Sequence, residues 1–392
     1  VIFDDAAGAT GAAPFLSADL VEQTARLAGP GARATRRGAT IGGRLIRLAA
    51  DPGTLEVDGP GNFAQGLEAE RDLPPGLVTA SWTRSMRYDD AEGRLNARGE
   101  VVAVNERFGL RRDRFTADRL SARLDAESDR PPQADADRGE PLGGPRRLRG
   151  AVLTGAAGAP ATAETRRYFE KPGEGQGPPE PRLAELLFLE SSDIIYAGGE
   201  RRVTAPAPGR LVVVDRRSVR EQIDAGVEPA ELGPGQTLFT WQDRMTVAAD
   251  AGEASFHGGV VVNHLDLRTR RPAVARAERI DATFDLTDDQ GGNGPNEGGT
   301  LRTLTAEGDA RLRNDRRELA ASRVRYDAAA GRALATAARG TLVTYLDRST
   351  GTVTRAKELL WDLLADRIDV LEPAPTVAPA SPPPGDRQAP QE

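Results

Sequence analysis

The chain has 392 residues, of which 39% are hydrophobic and 28% charged, with 43 Gly and no Cys. The absence of Cys excludes disulfides, thiolate metal sites and cysteine nucleophiles. The formal net charge of −7 argues against a nucleic-acid-binding protein, because such a protein needs a basic face.

The beginning of the chain predicts short strands joined by small residues. Two apolar segments within residues 1–40, Val1–Phe3 and Phe15–Leu20, are separated by Gly and Ala. Further on, Gly59-Pro60-Gly61 predicts a turn, and it does not resemble a phosphate loop because no Lys-Ser/Thr pair or helix start follows it.

An internal repeat organises the rest of the chain. A Trp-x-x-x-Met segment occurs twice, and its two Met residues are the only ones in the protein. The repeat must be recognised before any fold is predicted. The matched positions, each 159 apart, are Trp82 and Trp241, Met86 and Met245, Gly93 and Gly252, and Gly99 and Gly258.

Apolar and polar residues alternate in both copies, a period of two that predicts half-buried β-strands. Arg84 and Asp243 share the parity of the apolar side, so either the interior is polar at that level or the strand is kinked there. The side chains predicted to line an apolar, lipid-facing interior are Trp82, Met86, Tyr88, Leu120 and Leu124 in the first copy and Trp241, Met245, Val247, Ile280 and Phe284 in the second.

Each unit is predicted to be a strand, a Gly-containing turn and a second strand. Gly supplies the positive φ that a tight antiparallel turn needs. A single hairpin is marginal in water, whereas stacked hairpins cover each other's apolar faces. The fold class is therefore predicted to be all-β: an elongated antiparallel β-jelly-roll or folded-over sheet of tandem hairpins, with Arg, Asp and Thr outside.

The later part of the chain gives three further predictions. Ala205–Gly209 is a counterpart of the Gly59–Gly61 region, and Leu211–Val214 is a strand buried on both sides. A third, looser copy contains Tyr326-Asp327, and Leu359–Leu371 makes a final strand pair or a short helix.

These patterns divide the chain into four regions. The first copy occupies residues 1–130, and the second occupies 148–286, with loop insertions at 172–181 and 216–235. The third, looser copy occupies 300–372. The Pro-rich tail at 373–392 is predicted to be disordered, because its composition cannot form a packed core.

The order of these motifs resembles the OstA/LptA-like proteins of lipopolysaccharide transport. The resemblance is carried by Tyr-Asp, a Gly-bearing turn, Ala-Arg-Gly, a Val-rich strand and then Ala117–Leu120, and it is strongest from Ala306 to Asp362. It implies a periplasmic β-jelly-roll whose open apolar interior holds acyl chains and whose unpaired edge strands join end to end.

The resemblance implies a non-enzymatic transport or bridging scaffold for lipopolysaccharide or a lipid A-like amphiphile. The implied partners are that lipid, other envelope transport proteins and further copies of the chain; no cofactor, metal or nucleic acid is expected. The alternative is a structural envelope or adhesion β-repeat protein without a ligand. A glycan-cleaving enzyme is a third hypothesis, but no paired carboxylates appear in a recognisable frame.

Several candidate residues have simpler interpretations. The Trp and Met residues fill large gaps in any β-sandwich. His257 and His264 are predicted to face opposite sides of one strand, which excludes a metal pair, and Asp89-Asp90 suits a turn. Arg pairs such as Arg111-Arg112 either meet lipid phosphates at a groove rim or form a solvated strand edge.

Overall fold

A computed structural model describes most of the chain, and nearly all of the described residues lie in β-strands, with a single 3-10 turn at Gly198–Glu200. The all-β prediction is confirmed. The predicted insertions at 172–180 and 217–234, and the tail from 374, lie outside the described residues. Those residues are 2–4, 9–19, 21–36, 38–51, 53–69, 73–126, 146–170, 181–216, 235–267, 270–286, 299–327, 329–362, 365 and 367–373.

The strands are numbered in chain order. They are β1 (Ile2–Asp4), β2 (Ala9–Ala12), β3 (Phe15–Asp19), β4 (Thr24–Arg36), β5 (Ala39–Ala49), β6 (Thr54–Leu67), β7 (Gly76–Trp82), β8 (Ser85–Asp89), β9 (Arg94–Arg107), β10 (Arg111–Ala126), β11 (Arg146–Thr154), β12 (Ala161–Glu170), β13 (Pro181–Ser191), β14 (Asp193–Ala197), β15 (Arg202–Ala205), β16 (Gly209–Asp215), β17 (Gly235–Trp241), β18 (Arg244–Ala248), β19 (Glu253–Asp266), β20 (Pro272–Leu286), β21 (Gly299–Asn314), β22 (Arg317–Asp327), β23 (Arg332–Thr336), β24 (Val343–Asp347), β25 (Thr352–Asp362) and β26 (Arg367–Pro373).

All the pairings are antiparallel, and they form one sheet that folds over on itself. From β2 to β25, each arm is a long strand or two short strands in line, and each arm bends once. On one side of the bends, layer 1 contains β3, β8, β11, β14, β15, β18, β23 and β26. On the other side, layer 2 contains β1, β2, β7, β12, β13, β16, β17 and β24, and the remaining long strands give one half to each layer.

The line of bends is called the crest, and the opposite free margins of the two layers, where the arms turn back, are called the lips. In the middle of β9, β19 and β21, two consecutive residues adopt positive φ and interrupt the ladder. Gly takes the first position each time, because a Cβ there is strained. The three pairs are Gly99-Glu100, Gly258-Gly259 and Gly308-Asp309.

The interruption between β7 and β8 answers the question raised by Arg84, and the same holds for Asp243 between β17 and β18. Both residues lie at the crest outside the strands and are exposed, so the strand is kinked and the interior is not polar there. The amide hydrogen bonds also repeat: Thr83 to the Gly99 carbonyl is 2.7 Å, and its counterpart, Gln242 to Gly258, is 2.8 Å. The sequence repeat is therefore a repeat of backbone geometry.

The three predicted copies are joined by continuous strand pairing. Strand β10 of the first copy pairs with β11 and β12 of the second, and β20 pairs with β21 of the third. Two clusters of buried side chains fill the space between the layers, and Leu120 packs against both. The domain boundaries themselves stay a prediction.

Other expectations about the strands have mixed outcomes. Leu359–Leu371 falls in the β25–β26 strand pair, so the short-helix alternative is wrong. The beginning of the chain holds four strands, β1 to β4, because Gly and Ala residues that resemble a turn also extend β4. In Leu211–Val214 only Val214 is buried, since alternate side chains of β16 face inwards and outwards.

Candidate amphiphile groove

Burial of the inward-facing side chains decreases from the crest towards the lips. On β17, Trp241 at the crest is 1% exposed, whereas Phe239, two residues nearer the lip, is only partly buried. On β20, Ile280 is fully buried and Phe284 is only partly buried. This gradient gives a closed base at the crest and an apolar groove, meaning the space between the inner faces near the lips.

Partly buried apolar side chains from both layers line this groove. They are named here the mouth strip, and they alternate with outward-facing polar residues as the period of two requires. The mouth strip consists of Phe63, Phe115, Leu211 and Phe239 in layer 2 and Leu95, Leu124, Val247 and Phe284 in layer 1.

The residues predicted from the sequence to face the interior divide into two groups. The buried members lie in the packed core between the layers: Trp82, Met86, Tyr88, Trp241, Met245 and Ile280. The partly buried members are Leu120, Leu124, Val247 and Phe284, and the last three belong to the mouth strip. Contact of any of the ten residues with lipid stays a prediction.

Each Trp of the repeat lies over a glycine on the neighbouring strand. Gly61 is the register partner of Trp82, and Gly209 is the register partner of Trp241. A Cβ on Gly61 would lie 2.5 Å from Cζ2 of Trp82, and a Cβ on Gly209 would lie 2.6 Å from the same atom of Trp241. The two turn regions matched by sequence are thus the places where these rings pack.

The two Trp residues differ in the partner of the indole N–H. Trp241 Nε1 donates a hydrogen bond of 2.8 Å to the carbonyl oxygen of Ala207. Trp82 Nε1 is buried and has no hydrogen-bond partner among the described residues. Because a buried donor without a partner costs free energy, the two copies of the repeat are not energetically equivalent.

Aromatic contacts hold the two layers together. Phe239 of layer 2 stacks on Phe256 of layer 1 with ring centroids 4.8 Å apart and an interplanar angle of 8°. Near the C-terminal end, Tyr345 meets Trp361 edge-on at 6.5 Å, and the Arg317 guanidinium lies 5.6 Å from the Trp361 ring centroid. The depth of the groove is therefore set by side-chain contacts between the layers.

The expectation that Arg, Asp and Thr all lie outside is wrong at the lip of layer 2. Asp113 on β10 is 4% exposed and faces inwards. Its carboxylate accepts a 2.8 Å hydrogen bond from the Thr165 hydroxyl and pairs with Arg111 at 3.0 Å. The signal for this cluster is present in the sequence, because Arg111 and Asp113 share the parity of Phe115 and Ala117.

The remaining candidates have structural roles. Asp89 accepts a 3.0 Å hydrogen bond from the Glu92 amide, as expected of a turn Asp. His257 pairs in layer 1 and His264 in layer 2, where burial of its ring lowers the pKa of His264 and Asp266 opposes the shift. Within the described ranges, no group of three or more His, Cys, Asp or Glu residues could hold a metal ion.

One finding bears on membrane insertion. In the part of the chain that the structure describes, no helix is both long enough and apolar enough to cross a bilayer.

Comparisons with known proteins were made at the level of sequence and of structure. No protein-family model and no curated protein sequence matches the chain. Among solved structures it is similar in part to LptH from Pseudomonas aeruginosa, described as the LptA homologous periplasmic component of the conserved lipopolysaccharide transport device. That match covers 36% of this chain and 92% of LptH, with 12% sequence identity and a TM-score of 0.24.

Proposed function

We propose that the protein is a non-enzymatic carrier or bridge for acyl-chain amphiphiles, which shields their chains in the groove between its two layers. The observation that carries this proposal is the mouth strip, in which apolar side chains of both layers remain partly exposed above a fully buried base. Alkyl chains lying along this strip would leave water without any chemical step.

The size of the hydrophobic effect is sufficient for such a role. Each CH₂ group removed from water contributes about 0.8 kcal/mol, so a chain of about twelve carbons contributes roughly 10 kcal/mol. A groove that buries part of each chain would therefore lower the cost of moving the lipid through water. The lipopolysaccharide-type identity of the lipid and the periplasmic location come from the OstA/LptA-like resemblance of the sequence.

Two substitutions in the mouth strip test the proposal. Phe284→Asp and Leu124→Asp place a charge on the inner face of layer 1, and we expect each to weaken binding of a lipid A-like amphiphile by about tenfold or more, because a carboxylate beside an alkyl chain is desolvated. The measurement is displacement of a fluorescent hydrophobic dye by the amphiphile.

The matched control is Ile195→Asp, which introduces the same charge on the outer face of layer 1, where Ile195 is 38% exposed. It should leave displacement unchanged. Wild-type protein from which the amphiphile displaces no dye would contradict the carrier function, as would equal binding by all three variants.

Assembly through terminal strands is the second part of the proposal. Strand β3 pairs only with β4, and β26 pairs only with β25 among the described strands. Both carry exposed apolar side chains: Phe15 is 72% exposed and Leu371 is 51% exposed. An unpaired strand edge is a template for another strand, so head-to-tail association would extend the groove.

Replacing Phe15 and Leu371 together with Lys is expected to shift association of the protein to at least about tenfold higher concentration, because charges on edge strands oppose pairing. Light scattering across a dilution series measures this shift. Phe108→Lys is the control, since Phe108 is 52% exposed but lies in the β9–β10 turn. A wild-type protein that is monomeric at every concentration would contradict this part of the proposal.

A structural β-repeat protein without a ligand is the second candidate. The stacking of Phe239 on Phe256 favours it, because this contact closes the space between the layers at that level. The dye-displacement experiment distinguishes the two functions, since a filled interior would release no dye to the amphiphile.

A further inference from the structure

Three arginines lie directly opposite one another on neighbouring strands of layer 2. Arg111 on β10 is the register partner of Arg107 on β9 and of Arg167 on β12. Like charges directly opposite in a sheet are destabilising. Their juxtaposition in a protein of net charge −7 therefore needs a reason beyond folding.

All three belong to the inner face. On β10 the alternation runs from the buried Ala117 through Phe115 and the buried Asp113 to Arg111, with no register shift in that interval. On β12 the same count from the buried Ala161 leads to Arg167. The row is named here the arginine ladder, and it lies at the lip of layer 2, just beyond the mouth-strip residue Phe115.

The neighbouring groups neutralise the ladder only in part. Arg111 pairs with Asp113 at 3.0 Å, and Arg167 lies 3.6 Å from Glu185. Arg107 instead donates hydrogen bonds of 2.9 and 3.1 Å to the backbone carbonyls of Glu68 and Pro74. Three cations thus face two carboxylates, while the side chains of Arg111 and Arg167 stay 24% and 28% exposed.

We propose that the arginine ladder binds the anionic headgroup, of the phosphate monoester class, of an amphiphile whose acyl chain lies in the groove. This inference rests on the proposed carrier function. Guanidinium groups recognise phosphate by paired N–H···O hydrogen bonds, which suits Arg111 and Arg167 side by side. Arg107 positions the β6–β7 connection and adds positive charge. The headgroup would then lie at the lip of layer 2, with its chain directed past Phe115 towards the crest.

The test compares two probes with the same acyl chain, lauroyl glycerol phosphate and the neutral monolauroyl glycerol, by dye displacement from the full chain. We expect the phosphorylated probe to bind about tenfold tighter or more. Arg111→Gln and Arg167→Gln should each weaken its binding about ten- to a hundredfold, as expected for losing a charge-assisted hydrogen bond, and leave the neutral probe unchanged.

The control is Arg279→Gln, because Arg279 pairs with Asp281 two residues further on, at 2.7 Å, as Arg111 does with Asp113, but on the outer face. It should leave both probes unchanged, and thermal melting checks that every variant is folded. Equal binding of the two probes, or Arg111 and Arg167 variants that still prefer the phosphate, would overturn the headgroup site while leaving the carrier function standing.

Two other outcomes separate the remaining possibilities. If neither probe displaces the dye, the carrier function fails and the headgroup site fails with it. If inorganic phosphate competes as strongly as the phosphorylated amphiphile at equal concentration, the ladder binds a free anion and the lipid-headgroup proposal is overturned.

Discussion

Gly61→Ala is expected to destabilise the protein by about 3 kcal/mol, the upper part of the range for overpacking a core. A Cβ at this position would lie 2.5 Å from Cζ2 of Trp82 and 2.8 Å from the backbone carbonyl oxygen of Gly42. The Trp82 ring is buried between the layers, and the carbonyl belongs to the paired strand β5, so neither group can move without disturbing the crest. The measurement is the midpoint of urea unfolding followed by Trp fluorescence.

Gly66→Ala on the same strand is the matched control. No atom lies within 4 Å of the position that its Cβ would take, and its backbone does not have positive φ. This substitution should be neutral or stabilise the fold by up to about 1 kcal/mol, because it restricts the unfolded chain. Equal unfolding midpoints for the two variants would contradict the packing of Trp82 over Gly61.

Trp241→Ala is expected to cost about 3–5 kcal/mol, as large-to-small substitutions of buried aromatic residues do. The ring packs over Gly209 and lies 5.7 Å from Phe256 between ring centroids, so its removal leaves a cavity at the crest and frees one side of the contact between the layers. Calorimetric or denaturant unfolding measures the loss.

The milder substitution to Phe separates packing from hydrogen bonding. Trp241→Phe removes the hydrogen bond to Ala207, whereas Trp82→Phe removes an indole N–H that has no partner among the described residues. We therefore expect Trp241→Phe to cost about 1 kcal/mol more than Trp82→Phe. A larger loss for Trp82→Phe would show that the unequal N–H environments do not govern stability.

Much of the fold was predictable because a period of two leaves little freedom. The alternation around Trp82 and Met86 fixes which side chains face inwards, and the recurring Gly residues fix where the chain turns. The kink at Arg84 was one of two alternatives that parity allowed. The backbone shows why it is the correct one: Thr83 and Arg84 both bond to β9 while their side chains leave the core.

The parts that were not predictable depend on which strands become neighbours. Nothing in the local sequence says that Gly61 meets Trp82, because that contact needs the register of β6 against β7. The division of the ten interior candidates also escapes parity, since alternation gives direction and not distance from the crest. Asp113 lies on the inner side despite its charge, because Thr165 and Arg111 provide its partners there.

The pairing of each arm only with arms close to it in the chain has a consequence for length. Adding or removing an adjacent pair of arms would change the long dimension by about 10 Å, twice the spacing between neighbouring strands, and leave every other ladder intact. Such an architecture works as a ruler. Gene duplication, of which the 159-residue offset between Met86 and Met245 is a trace, could match its reach to the width of the compartment it serves.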